Sequence, residues 1–238
     1  MSGDRPDSGD VVAMFDRIAP RYDTMNTLMT GGLDRLWRRA AIDAAALRPG
    51  DRVLDIATGT GKLALAASRR VGPAGEVVGL DPSARMLALA RQAGTASGAT
   101  NVIWVQGDAA ALPFADGTFD AVTIAFGLRN LPDVAAGLQE MARVAADGGR
   151  MVILELAQPS GGLGALLYRT WFQRVVPVLG SLAGSRAAYA YLPESVERYP
   201  APIRIAELLN GAGFADVRWR WLPSRMVTLH AGVRRGIS

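Results

Sequence analysis

Three aspartates, Asp55, Asp81 and Asp108, stand in or just after three successive apolar runs of this chain. The first belongs to Val53-Leu54-Asp55-Ile56-Ala57-Thr58-Gly59-Thr60-Gly61-Lys62, where a strand-forming stretch meets a Gly-x-Gly turn. The helix-prone run Leu63–Ala67 follows. Glycine carries no Cβ, so Gly59 and Gly61 let the backbone come close to a ligand. Asp81 ends the second run, Glu76–Leu80, about 20 residues past the glycines. At that spacing a carboxylate accepts the two hydroxyls of a ribose. Asp108 follows the third run, Asn101–Gln106, where a carboxylate can accept from the exocyclic amine of adenine. Either Asp55 or Asp108 alone would serve equally to cap a turn. The ordered set of three points to an adenosine-containing cofactor.

Two such cofactors compete. Gly59-x-Gly61-x-x-Ala64 matches the dinucleotide fingerprint with Ala in its last position. Asp55, however, lies just before the turn, where its charge repels a pyrophosphate and suits a sulfonium ligand with a free ammonium. Acids after strands one, two and three are the methyltransferase pattern. S-adenosylmethionine is therefore expected, with S-adenosylhomocysteine as product, rather than a nicotinamide dinucleotide. Ala57 in the turn, and Pro82 and Met86 just past Asp81, join the expected cofactor contacts.

The elements that must hold these residues alternate. Strands are expected at 52–56, 76–80, 101–106, 121–125 and 150–156, with helices at 63–71, 84–93 and 134–146 between them. Such alternation implies right-handed crossovers and a parallel sheet covered on both faces. Before it, residues 11–49 read as two helices broken at Gly31-Gly32. After it, 160–200 read as a helical cap rich in Leu, Val, Tyr, Trp and Phe, then a helix at 201–212. Segments 217–222 and 226–233 read as a closing antiparallel pair. The fold class is thus α/β, a doubly wound, mainly parallel seven-stranded sheet of the Rossmann-like, class I methyltransferase type.

Bulk properties narrow the classes. At 238 residues the chain suits one domain, 11–238, behind a polar tail at 1–10 that lacks the apolar segment of a signal peptide. No apolar run reaches the roughly 18 residues of a membrane span, so a cytoplasmic protein is expected. Cysteine is absent and His230 is the only histidine, which excludes disulfides, thiolate nucleophiles and multi-histidine metal sites; no metal is expected. The net charge of +4 is mild and no aromatic-interleaved basic stripe is present, so nucleic acid is not an expected partner. Oligomeric state is not legible, and a homodimer stays open.

Several segments together resemble the ubiquinone/menaquinone C-methyltransferase family. They are Met14-Phe15-Asp16-Arg17-Ile18-Ala19-Pro20-Arg21-Tyr22-Asp23-x-x-Asn26, Leu36-Trp37-Arg38-Arg39, Phe126-Gly127-Leu128-Arg129-Asn130, Leu154-Glu155 and Tyr191-Leu192-Pro193-Glu194-Ser195-Val196. The resemblance implies methyl transfer from S-adenosylmethionine to a ring carbon of a reduced, prenylated quinone, most often demethylmenaquinol. It also implies cofactor contacts at Thr60, Asp81, Asp108, Ala109 and Ala125. A ring carbon is a poor nucleophile until the adjacent hydroxyl ionises, so such a site must stabilise a phenolate and take up its proton. Arg129, at the carboxyl edge of the sheet, is the candidate stabiliser, against a structural salt bridge with Asp133. Tyr22 is expected to close over the ligands with Asn26. Asp23 and His230 are candidate bases, although a lone histidine on a strand is more often structural. A prenyl tail partitions into bilayer, so the cap, with Tyr168, Trp171, Arg169 and Arg174, is expected to touch the inner face of the membrane through 161–184.

The sequence departs from the family pattern at Asp34, Lys62, Gln158, Ala201, Ser224 and Arg225. These departures leave two alternatives open: a methyltransferase of a smaller secondary metabolite, or an inactive scaffold that binds S-adenosylmethionine.

Overall fold

The computed structural model describes residues 8–159, 161, 165, 170–171 and 186–236. Its centre is a seven-stranded sheet in the order β3-β2-β1-β4-β5-β7-β6. The strands are β1 (Arg52–Ile56), β2 (Glu76–Asp81), β3 (Val102–Gln106), β4 (Phe119–Ala125), β5 (Ala145–Leu156), β6 (Phe214–Trp221) and β7 (Val227–Arg234). The first five run parallel; β7 pairs antiparallel with both β5 and β6. The closing pair expected from sequence is present, but β7 inserts beside β5 and leaves β6 at the edge. Burial explains the order. Val227, Thr228, Leu229 and His230 are all buried, as an interior strand requires, whereas β6 alternates between sheltered and exposed positions.

Among the described residues, six helices flank the sheet or lead into it: α1 (Ser8–Thr30), α2 (Leu33–Ala45), α3 (Lys62–Val71), α4 (Ala84–Ala96), α5 (Val134–Val144) and α7 (Pro202–Gly211); α6 (Arg186–Arg198) lies between α5 and α7 in the chain. Helix α1 begins at Ser8, inside the stretch expected as a tail, and continues through Pro20 without a break. Period-2 alternation sends strand side chains to both faces. Leu54 and Ile56 join Phe119, Leu138, Met141 and Ile205 in one core cluster. Val53 joins Trp37, Ile42, Leu63 and Val152 in the other. Local capping fixes where helices start. Ser83 accepts from the Met86 amide, and Asp133 from the amides of Ala135 and Ala136.

Sheet order reverses between β1 and β4, and an open α/β sheet gathers ligands at that switch point. The two chains leave it in strained conformations. Ala57, just past β1, has φ 51°, and Phe126, just past β4, has φ 60°. Gly127 fits beneath because a Cβ there would collide with that of Ala57.

Candidate active site

Two cavities open at this switch point. The first, about 410 Å³, is bordered by the ends of β1, β2 and β4 and by α1. Asp81, Asp108, Ala57, Gly59, Pro82, Met86, Ala109 and Ala125, all named from the sequence as cofactor candidates, line it. Asp81 is 7 % exposed. Its two oxygens accept from the amides of Gly59 (2.8 Å) and Ser83 (2.9 Å). Burial pushes this carboxyl up to about 6, against the pull of those two amides. Asp108 is exposed and accepts from the Ala110 amide at 2.9 Å. Gly59 brings bare backbone to the cavity wall at φ 57°.

Three expected cofactor residues do not line this cavity. Asp55 is 1 % exposed and sits beneath the turn, accepting from the hydroxyls of Thr58 (2.6 Å) and Thr123 (2.7 Å). Burial pushes its carboxyl up. It holds the switch point together rather than facing a ligand. Thr60 turns its hydroxyl away to Asp23, at 2.9 Å. Gly61 is needed for packing: at φ 80° it starts α3, and a Cβ would stand 2.5 Å from the Trp104 ring.

The second cavity, about 350 Å³, is mainly apolar. Met14, Met25, Met29 and Met226 contribute to its wall, with Ile18, Trp37, Leu156 and Leu192. Phe15, Tyr22 and Phe126 border both cavities, so the two meet there. Arg129 lines the apolar one. Its side chain is 6 % exposed and pairs at 2.6 Å with Glu155, which is fully buried. Nη1 also donates to the Phe126 carbonyl (2.5 Å) and Nε to the Ser195 hydroxyl (3.3 Å). Burial works against this charge, but the Glu155 carboxylate outweighs it and the pKa lies above the ordinary arginine value. The ion-pair partner is Glu155; Asp133, the partner named for the alternative salt-bridge reading, has its carboxylate committed to capping α5.

The candidate bases fare differently. His230 borders neither cavity. It is fully buried on β7, stacked on Trp219, with Nε2 donating to the Pro202 carbonyl at 2.9 Å. Burial depresses its pKa to about 4. It is a core residue, and the catalytic expectation is corrected. Asp23 also lines neither cavity. It binds the Thr60 hydroxyl and stands 3.2 Å from Lys62 Nζ, tying α1 to the glycine turn.

Four features escaped the sequence reading. Asp16 on α1 lines the first cavity and accepts from the Ser83 hydroxyl. Phe126 forms the junction, and Glu155 sets Arg129. Asp34 and Lys62, noted only as departures, are neighbours, with Nζ 3.7 Å from Asp34 Oδ2. The departures at Ser224 and Arg225 occupy positive φ, 93° and 51°, which glycine would adopt without strain. Most of the cap, including Tyr168, Phe172, Arg169 and Arg174, lies outside the described residues; Trp171 lines the apolar cavity.

This arrangement has relatives. The chain is 50% identical over 222 residues, 93% of its length and 100% of theirs, to a demethylmenaquinone methyltransferase of Thermus thermophilus. It is 45% identical over 235 residues to one of Deinococcus radiodurans, covering 98% and 96%. Among solved structures, the [4+2]-cyclase SpnF shares the fold with a TM-score of 0.73 at 19% identity, covering 97% of each chain. A SAM-dependent methyltransferase from Aquifex aeolicus does so with 0.62 at 20% identity, covering 82% and 88%. The model of the ubiE/COQ5 methyltransferase family matches residues 4–234, and with a sheet, a switch point and paired cavities of this kind the chain belongs to that family.

Proposed function

We propose that the protein transfers a methyl group from S-adenosylmethionine to a ring carbon of a reduced prenylated quinone, with demethylmenaquinol as the acceptor. The carrying observation is the meeting of a carboxylate-lined cavity and an apolar one at Phe15, Tyr22 and Phe126. The names borne by the relatives support the acceptor class.

The first cavity fits the cofactor by its chemistry. Asp81 would accept the ribose hydroxyls, Asp108 the adenine amine, and the bare backbone at Gly59 leaves room for close approach. Bound there, the cofactor supplies a methyl group already activated by its sulfonium. The chain itself must position a carbon nucleophile and exclude water. Arg129 in the second cavity offers a permanent charge to the acceptor hydroxyl, which lowers its pKa and favours the phenolate. Electron density then rises on the neighbouring ring carbon. That carbon would take the methyl group as the methyl–sulfur bond breaks and S-adenosylhomocysteine is left; it then gives up its ring proton while the phenolate oxygen is reprotonated, so one net proton passes to solvent. Glu155 holds the guanidinium in place from behind. Tyr22 and Asn26, both on α1, close the cavity over the ring. The methionine-lined wall suits an isoprenoid tail, since Met fills irregular apolar space. Among the described residues no helix is long and apolar enough to cross a membrane. A prenyl tail partitions into bilayer, so we infer that the substrate is collected at the membrane surface; the segment expected to do this, 161–184, lies mostly outside the described residues.

The test supplies the protein with methyl-labelled cofactor and demethylmenaquinone, reduced or oxidised. We expect label on the naphthoquinol ring, from the reduced form alone. Label that bypasses the ring and appears in a small molecule of a quinone-free extract would overturn the acceptor assignment.

A further inference from the structure

Five buried side-chain atoms among the described residues have no hydrogen-bond partner, and three belong to residues lining the acceptor cavity. They are Asp34 Oδ2, Arg38 Nε and Ser224 Oγ. Buried polar atoms are nearly always bonded, so three orphans around one apolar cavity call for a partner that arrives with the ligand. Asp34 is 2 % exposed. Its one side-chain hydrogen bond, to the Thr30 hydroxyl, is long at 3.4 Å, and Lys62 Nζ at 3.7 Å is beyond hydrogen-bond reach of Oδ2. Arg38 Nε has no hydrogen-bond partner among the described residues, yet the guanidinium lies over the Phe126 ring, 5.4 Å from the centroid. Phe126 is also where the two cavities meet, and its carbonyl takes Arg129 Nη1. Two guanidiniums therefore bracket the junction, one on the ring of Phe126 and one on its backbone. The turn carrying Ser224 is drawn to this wall by the Trp37 indole, which donates to the Pro223 carbonyl at 3.3 Å.

We propose that Asp34 and Arg38, with Ser224 beside them, form a second polar pole of the acceptor cavity, which binds the other ring oxygen of the acceptor and reads whether the ring is reduced. The proposal rests on the acceptor assignment above. Its chemistry is a matter of donors and acceptors. A hydroquinone hydroxyl donates to a carboxylate and accepts from a guanidinium, so Asp34 and Arg38 satisfy it together. A quinone carbonyl only accepts. It can use Arg38, but it turns lone pairs toward the Asp34 carboxylate and gives that carboxylate no hydrogen-bond donor. The pair thus admits the reduced ring, the one form that Arg129 can turn into a nucleophile, and rejects the oxidised one.

Binding tests this without turnover. Trp37 and Trp171 line the cavity, so quenching of tryptophan fluorescence reports occupancy. The probe is 2-prenyl-1,4-naphthoquinone with one isoprene unit, titrated oxidised and after reduction, in the presence of S-adenosylhomocysteine. The unsubstituted protein should bind the reduced probe about tenfold more tightly than the oxidised one, the scale of one hydrogen bond to a charged group. Asp34→Asn should weaken the reduced probe about tenfold, leave the oxidised probe as tight or tighter, and keep the affinity for S-adenosylhomocysteine. Arg38→Met should weaken both forms alike. A redox preference that survives in a folded Asp34→Asn variant, or is missing from the unsubstituted protein, overturns the proposal. Should Asp34→Asn not fold, Arg38→Met decides, because unchanged affinity for the reduced probe refutes the second pole. These failures differ from failure of the acceptor assignment, in which the unsubstituted protein binds neither form and leaves the ring unmethylated.

Discussion

Asp81 carries a cost that the cofactor would relieve. Burial raises its carboxyl to about 6 in the folded chain, from 3.8 when free. A group raised in this way favours the folded state most at low pH, below its unfolded value, and that contribution is lost as pH rises through 6. The ionised form, in turn, is the one that accepts ribose hydroxyls well. We therefore expect cofactor affinity, measured by calorimetry between pH 5 and pH 8, to be flat at the upper end and to fall by up to about tenfold per pH unit below 6. Asp81→Asn should bind weakly and without that slope. Glu155 makes a different prediction. It is fully buried against Arg129, and breaking a buried pair from one side costs about 3–5 kcal/mol, because the remaining charge is left uncompensated. Glu155→Gln should lose that much in urea unfolding, while Glu155→Gln combined with Arg129→Met should recover most of it. At this scale the sequence was legible wherever chain order alone sets position. Asp81 ends β2, Asp108 follows β3 by two residues, and both line the cavity. It was not legible where partners are chosen in space. Arg129 finds Glu155 on the next strand, Lys62 finds Asp34 on another helix, and Asp55 spends one oxygen on nearby Thr58 but the other on Thr123, 68 residues away on β4.

Helix α1 shows the same division one scale up. Its apolar spacing and its stop at Gly31-Gly32 are plain in the chain. Its function is not, because what a leading helix covers is decided by tertiary packing. It crosses both cavities, supplying Asp16 and Val12 to one wall and Met14, Ile18 and Met25 to the other. Its polar ties to the body include Asp16 to Ser83, and Asp23 to Thr60 and Lys62. Asp23 is 43% exposed, so its pairing contributes at most about 1 kcal/mol to global stability. Asp23→Ala should therefore leave the melting temperature nearly unchanged but speed cofactor dissociation severalfold in stopped-flow measurements. Equal loss in both would show that the tie supports the fold and not the cover. The closing strands teach a related lesson. Both were visible as strands, but their order in the sheet follows from comparing how much of each must be buried, and β7 is the more apolar.

For the whole molecule, the alternation of strands and helices dictates the layered sheet, and the reversal of strand order beside β1 dictates where ligands gather. What composition and periodicity leave unstated is that there are two cavities, and that one helix walls both. That sharing has a kinetic consequence. Because one helix walls both cavities, we expect the two ligands not to exchange independently, and a bound acceptor to commit the cofactor to react before it leaves. An isotope-trapping experiment reads this directly. Labelled cofactor bound to the protein, diluted into excess unlabelled cofactor with saturating acceptor, should be captured mostly in product. The captured fraction should fall as acceptor concentration falls, and product inhibition by S-adenosylhomocysteine should deepen as acceptor rises, because the spent molecule waits behind the same helix.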